Sequence, residues 1–80
     1  MGMRRSRGQV NLEILRLLAT ENRKATLLAG VTGLNYRQAG LILANLRKRD
    51  VVAHVVTGEW KITRRGMEVM HKLADLEGLI

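Results

Sequence analysis

Apolar positions recur at helical spacing along most of the chain and give way only once to a β-branched run. From Gln9 to Thr20, Val10, Ile14, Leu17 and Leu18 share one face of a helix. Leu12, Leu15 and Ala19 fall on the opposite side, which leaves Glu13, Arg16 and Thr20 as a narrow polar strip. A helix apolar nearly all round needs cover on two sides. A chain of 80 residues has little material for the second cover. The spacing therefore assigns Leu12, Leu15 and Ala19 to contact with a partner chain.

Glu21, Asn22 and Arg23 predict a turn, and a short second helix follows over about 24–31 until Thr32-Gly33 breaks it. Asn35 is a good N-cap for a third helix that runs to about Arg49. Its apolar stripe is Tyr36, Ala39, Ile42, Leu43 and Leu46, the side expected to be buried. Asp50 interrupts the pattern. Val51, Val52, Ala53, His54, Val55 and Val56 then favour strand, Thr57-Gly58 predicts a tight two-residue turn, and Glu59, Trp60, Lys61 and Ile62 return as a second strand. Thr63 can cap a last helix over about 64–79. The expected fold is mainly α with a small β-hairpin, in the order α-α-α-β-β-α: a helix-turn-helix followed by a wing. Residues 1–8 show no periodicity and carry Arg4, Arg5 and Arg7, so they read as a flexible basic arm ahead of one domain over 9–80.

In the last helix Val69, Leu73, Leu76 and Ile80 recur at spacings of four, three and four, beside a second face of Met67, Met70 and Ala74. One face can hold the helix to its own domain and the other can meet a twin. Together with the spare face of the first helix, this predicts a homodimer.

Charge adds the first functional clue. Fourteen Lys+Arg stand against seven Asp+Glu, for a net charge of +7, and ten of the cations are arginine. Residues 1–65 hold thirteen of the basic side chains and four acids, whereas residues 66–80 hold one basic side chain and three acids. Arginine grips phosphate and guanine bidentately. Opposite its apolar stripe, the third helix carries Arg37, Leu41, Ala44 and Lys48, flanked by Gln38, Asn45, Gly40 and Arg47. A helix that enters the major groove needs long donors near its N-terminal end and cations further along. Arg37, Gln38, Leu41 and Asn45 are thus candidates for base edges. Arg47, Lys48 and Arg49, with Arg23, Lys24, Lys61, Arg64 and Arg65, are candidates for phosphate, and the arm arginines could track the duplex.

Other chemistry finds little support. There is no cysteine, and His54 and His71 stand apart from any cluster of carboxylates, so neither a metal nor a cofactor is expected. No nucleophile, base and orienting group can be assembled, which argues against an enzyme. No apolar run approaches a membrane span and no signal peptide is visible, so the expected location is cytoplasmic and nucleoid-associated. Tyr36 and Trp60 are the only aromatic residues, too few for a single-strand stacking platform, and both are expected in the core.

Three segments carry a family resemblance. Gly33-Leu34-Asn35-Tyr36-Arg37-Gln38, Leu46-Arg47-Lys48-Arg49-Asp50-Val51-Val52 and Trp60-Lys61-Ile62-Thr63-Arg64-Arg65-Gly66 resemble the small archaeal winged helix-turn-helix DNA-binding proteins, within a wider class that includes the MarR-like repressors. In that family the matching segments open the recognition helix, end it in Gly-Leu-Ile, and close the wing with aromatic-x-leucine-threonine-x-x-glycine. The resemblance implies a dimer whose last helices pair, with the third helix in the major groove of double-stranded DNA and the wing on its flank. Asp50 departs from the family's glycine, and the last helix is shorter than in members with long coiled-coil tails. A sequence-preferring transcriptional regulator is the leading expectation. An abundant, weakly specific chromatin protein and a protein-interaction winged helix in a transcription or RNA-processing assembly are its alternatives.

Overall fold

A computed structural model describes residues 6–78 of the chain. Three helices, α1 (Arg7–Thr20), α2 (Ala25–Thr32) and α3 (Tyr36–Lys48), precede an antiparallel hairpin of β1 (Val52–His54) and β2 (Trp60–Ile62), and α4 (Arg64–Gly78) closes the chain. The element order is the one the spacing predicts.

The first helix starts two residues before its apolar pattern. Ser6 caps it by accepting from the Gln9 N–H at 3.1 Å, while the Gln9 side chain accepts from the Ser6 N–H at 2.8 Å. This reciprocal box supplies acceptors for two backbone donors and carries the helix back to Arg7. Arg7 and Gly8 therefore belong to α1 and not to an arm; Arg4 and Arg5 lie outside the described residues.

The helix α1 is the axis of the core. Ile14 and Leu18 pack with Leu28, Leu43 and Leu46 from α2 and α3, and Val52 of the hairpin joins them. The expectation that Leu12 and Leu15 await a second chain is overturned: they are 2% and 0% exposed within this chain alone. The hairpin strand β2 and helix α4 pack on α1 in addition to α2, so one chain supplies both covers. Ala19 is exposed. Val69 and Leu73 of α4 are half-buried and packed against their own core, Leu76 is 59% exposed, and Ile80 lies outside the described residues.

At the end of α2, Gly33 adopts a left-handed conformation (φ 74°), and the Leu34 N–H reaches the Ala29 carbonyl at 2.9 Å, which turns the chain into α3. The end of α3 uses the same device with a different residue. Asp50 has φ 62°, its N–H donates to the Arg47 carbonyl at 3.0 Å, and the Val51 N–H donates to the Leu46 carbonyl at 3.1 Å. This is a Schellman turn with aspartate where the resembling family has glycine, so the departure keeps the backbone path. Aspartate tolerates this region better than most residues but not as freely as glycine. Asp50→Gly is expected to raise stability by roughly 0.5–1 kcal/mol, the relief of the left-handed strain exceeding the added freedom of the unfolded chain. An unchanged or lower urea midpoint would contradict this.

The wing tip is longer than the sequence pattern predicts. Val52 pairs with Ile62 and His54 with Trp60. Above them the Val55 N–H donates to the Glu59 carbonyl at 2.7 Å, and the Gly58 N–H to the Val55 carbonyl at 2.9 Å, with Gly58 at φ 87°. The loop is thus Val56, Thr57 and Gly58, a three-residue turn closed by a left-handed glycine, and Val56 stands fully exposed at the tip. Trp60 also exchanges two backbone hydrogen bonds with Arg23 (3.1 and 2.7 Å), so the α1–α2 turn is tied to the edge of the hairpin.

Thr63 fastens the wing to both neighbouring helices. Its hydroxyl donates to the Asp50 carbonyl at 2.6 Å and accepts from the Gly66 N–H at 3.0 Å, while its own N–H donates to the Val51 carbonyl at 3.1 Å. It caps α4 and holds that helix against the turn that ends α3. Gly66, one turn into α4, lies directly over the Val51 carbonyl.

Candidate nucleic-acid interface

Burial of Ala39, Leu43 and Leu46 fixes which side of α3 faces outward. Arg37, Gln38, Leu41, Ala44, Asn45, Arg47, Lys48 and Arg49 are all exposed. Four of these eight are cations. Arg47 and Lys48 sit in the last turn, where positive charge also suits the carbonyl end of the helix dipole. Leu41 is 65% exposed at the centre of this face.

Tyr36 is not part of the buried stripe: it is 63% exposed. It occupies the first helical position after the Asn35 cap, ahead of the first residue of α3 that is buried, Ala39. Gln38 has a local task as well. Its backbone N–H donates to Asn35 Oδ1 at 2.7 Å, and its side-chain oxygen accepts from the Asn35 N–H at 3.2 Å. The oxygen is spent on the cap, which leaves the amide donor of Gln38 for any external acceptor.

Two of the grooves beside α3 among the described residues bear on its exposed face. One, of about 410 Å³, runs between its outer face and the start of α1, lined by Leu41, Ala44, Asn45, Lys48 and Arg49 with Arg7 and Asn11 opposite. The first turn of α1 therefore stands beside the second half of α3, a neighbour that no spacing in the sequence indicates. The other, of about 290 Å³, lies between α3 and the hairpin, lined by Lys24, Thr26, Tyr36, Gly40, His54 and Trp60. The imidazole of His54 rests 4.7 Å from the Trp60 ring, centroid to centroid. Tyr36, Thr26 and His54 thus join this surface although sequence reasoning assigned the first to the core and gave the others no role. An exposed aromatic residue at the first turn of a reading helix would have been the signal.

The remaining phosphate candidates divide. Lys24, Lys61, Arg64 and Arg65 are exposed. Arg23 is half-buried, its guanidinium 3.1 Å from both the Glu21 carboxylate and the Thr20 hydroxyl, and its backbone is bonded to Trp60. These contacts tie Arg23 to the base of the wing. Lys61 and Arg64 line neither groove beside α3, and Arg65 joins Arg7 and Arg49 at a third groove on the α4 side.

Among the described residues no group of three His, Cys, Asp or Glu is placed to hold a metal ion, and no helix is long and apolar enough to cross a membrane.

Three helices, a short antiparallel hairpin and a fourth helix, with a cationic third helix turned outward, define the winged helix-turn-helix class. A sequence profile of the family described as Winged helix-turn-helix matches residues 4–80, and the chain belongs to that family. Among solved structures, the wild-type ZitR of Lactococcus lactis superposes with a TM-score of 0.76 at 16% identity, covering 94% of this chain and 52% of that one. The likeness is one of fold, and the chain spans about half the length of that protein. No curated protein sequence matches it.

Proposed function

We propose that this chain is a transcriptional regulator that binds double-stranded DNA, with α3 in the major groove and the wing on the flanking backbone. The outward face of α3 carries the proposal: it is cationic, exposed along its length and without an acidic side chain. Within the chain no hydrogen bond or ion pair engages the side chains of Arg37 and Asn45 among the described residues, so both are available to base edges. Arg47, Lys48, Arg49 and Lys24 take phosphate, joined by Arg65 and by Arg7 from the start of α1. Lys61 and Arg64 meet the backbone near the base of the wing.

Arg37→Ala tests base reading. On a site selected from random duplexes it should cost about 1–3 kcal/mol and relax preference at one position. An equal loss on every duplex removes Arg37 from base reading.

A second reading, weakly specific architectural binding, is favoured by Leu41, an apolar side chain at the centre of the face. In that case affinity falls steeply with salt and barely depends on sequence.

The chain acts as a homodimer on half-sites about one helical turn, roughly 34 Å, apart. Its pairing surface is narrower than the sequence pattern indicates, because Leu12 and Leu15 are spent inside the domain. The exposed Leu76, near the end of α4, marks what remains. Leu76→Glu is expected to shift the mass measured by light scattering from dimer towards monomer. A mass equal to that of the unaltered chain would place the pairing elsewhere.

A further inference from the structure

The groove between α3 and the hairpin lies where a DNA strand must pass if α3 sits in the major groove and the wing on the flanking backbone. Four polar side chains line it from three elements: Lys24 and Thr26 at the start of α2, Tyr36 in the first turn of α3, and His54 at the end of β1. All four residues are exposed, and among the described residues no hydrogen bond or ion pair engages their side chains. No acidic side chain lines the groove among the described residues. An ammonium, two hydroxyls and an imidazole thus stand around one groove that supplies no anion of its own.

His54 is carried by the tied part of the wing and not by its tip. It is paired with Trp60 across the hairpin, the two rings 4.7 Å apart between centroids and inclined by 35°. At that separation a protonated imidazole is attracted to the indole ring. Trp60 is itself fixed by its two backbone hydrogen bonds with Arg23, at 3.1 and 2.7 Å. The other charged groups nearby have different surroundings. The Arg23 guanidinium is 3.1 Å from the Glu21 carboxylate, the Glu59 carboxylate accepts from the Thr57 hydroxyl at 3.2 Å, and neither these residues nor Lys61 line the groove. Lys24 and Tyr36 are the titratable groups that share it with His54.

We propose that this groove seats one backbone phosphate of the duplex and that His54 joins Lys24 on it as an imidazolium, with the Thr26 and Tyr36 hydroxyls donating beside them. Histidine changes charge near neutral pH, and a phosphate favours the cationic form. The phosphodiester keeps its own charge over that range. Duplex binding therefore takes up a proton, affinity rises as pH falls, and proton and duplex strengthen each other's binding by the same factor. The assignment rests on the DNA-binding reading and adds to it a contact that carries no base information but makes affinity sensitive to pH.

The test titrates the full chain with one selected duplex at constant ionic strength between about pH 5.5 and 8.5, with the mass checked by light scattering at each pH and the fold of each variant by circular dichroism. Affinity should rise roughly tenfold from the alkaline to the acidic end. Calorimetry in two buffers of different ionisation enthalpy should record uptake of a fraction of a proton, up to about one per chain. His54→Gln should bind throughout as weakly as the unaltered chain does at the alkaline end, with no proton taken up. His54→Lys carries a fixed charge, so its profile should also be flat, but at the level of the acidic end. His71→Gln alters an exposed histidine of α4 that lines none of the three grooves and should keep the full profile. An affinity independent of pH, or a profile that survives His54→Gln, overturns the assignment and leaves the DNA reading standing. A His54→Lys variant as weak as His54→Gln also overturns it, because charge is then not what the position supplies. A chain that binds no duplex at any pH overturns both.

Discussion

Gly66→Ala is expected to destabilise the domain by about 3 kcal/mol or more, although it adds a single methyl group to a residue in a helix. A Cβ at this position would overlap the Val51 carbonyl oxygen and stand 2.6 Å from Cγ1 of Ile62. The carbonyl cannot step aside cheaply, because it accepts the Thr63 N–H at 3.1 Å and follows the turn that ends α3. Relief would require α4 to lift from the wing, and with it the two hydrogen bonds of the Thr63 hydroxyl. A domain of this size has about 4–12 kcal/mol in all, so the melting temperature should fall by roughly 12–24 °C. Gly30→Ala is the control. It makes the same change in α2, where a Cβ meets nothing within 4 Å, and should stabilise the domain by about 0.5–1 kcal/mol. Similar melting temperatures for the two variants would contradict the close packing assigned to Gly66.

Reversing two charges on α3, Arg47→Glu with Lys48→Glu, should weaken duplex binding by roughly a hundredfold or more at ~0.15 M salt. Both side chains are exposed, Lys48 on the side opposite the buried Ala39, Leu43 and Leu46 and Arg47 on the flank of that face. Each lost phosphate contact should also lower the slope of log affinity against log salt by about 0.9, so the double variant should fall by nearly two. The substitutions place acids at the carbonyl end of α3, which costs about 0.3–1 kcal/mol each in helix stability. That is a small fraction of the total, and the melting curve separates it from the binding loss. An unchanged salt slope would remove these two residues from the phosphate contacts.

The elements were legible in the sequence wherever periodicity and end signals agreed. Asn35 and the Thr32-Gly33 break bracket the turn between α2 and α3, and Asp50 marks the end of α3 even though its left-handed geometry is ordinarily a glycine's. The Ser6–Gln9 box also has its spacing in plain view, but it lies ahead of the apolar pattern that served to place α1. What the sequence could not supply was the packing between elements. Leu12 and Leu15 look surplus on a helical wheel, because a wheel does not show that both β2 and α4 close over α1. Tyr36 looks like core by the same wheel, which carries no information on where burial begins along the helix axis. The backbone bridge between Arg23 and Trp60 joins residues far apart in the chain, and it ties a residue read only for its charge into the scaffold. On α3 the facing of the cations was legible, since fixing the stripe of Ala39, Leu43 and Leu46 fixes its opposite. The nearness of Arg7 and Asn11 to that face was not.

The most direct test of the central claim, that α3 reads double-stranded DNA, is one set of binding titrations. The full chain and its Arg37→Ala variant are measured on a duplex selected from a random pool and on scrambled duplexes of equal length, at two salt concentrations. The account predicts tighter binding of the selected duplex by the unaltered chain, a preference that persists at the higher salt, and loss of roughly tenfold or more of that preference in the variant. Equal affinity for all duplexes at both salts, unchanged by Arg37→Ala, would contradict it.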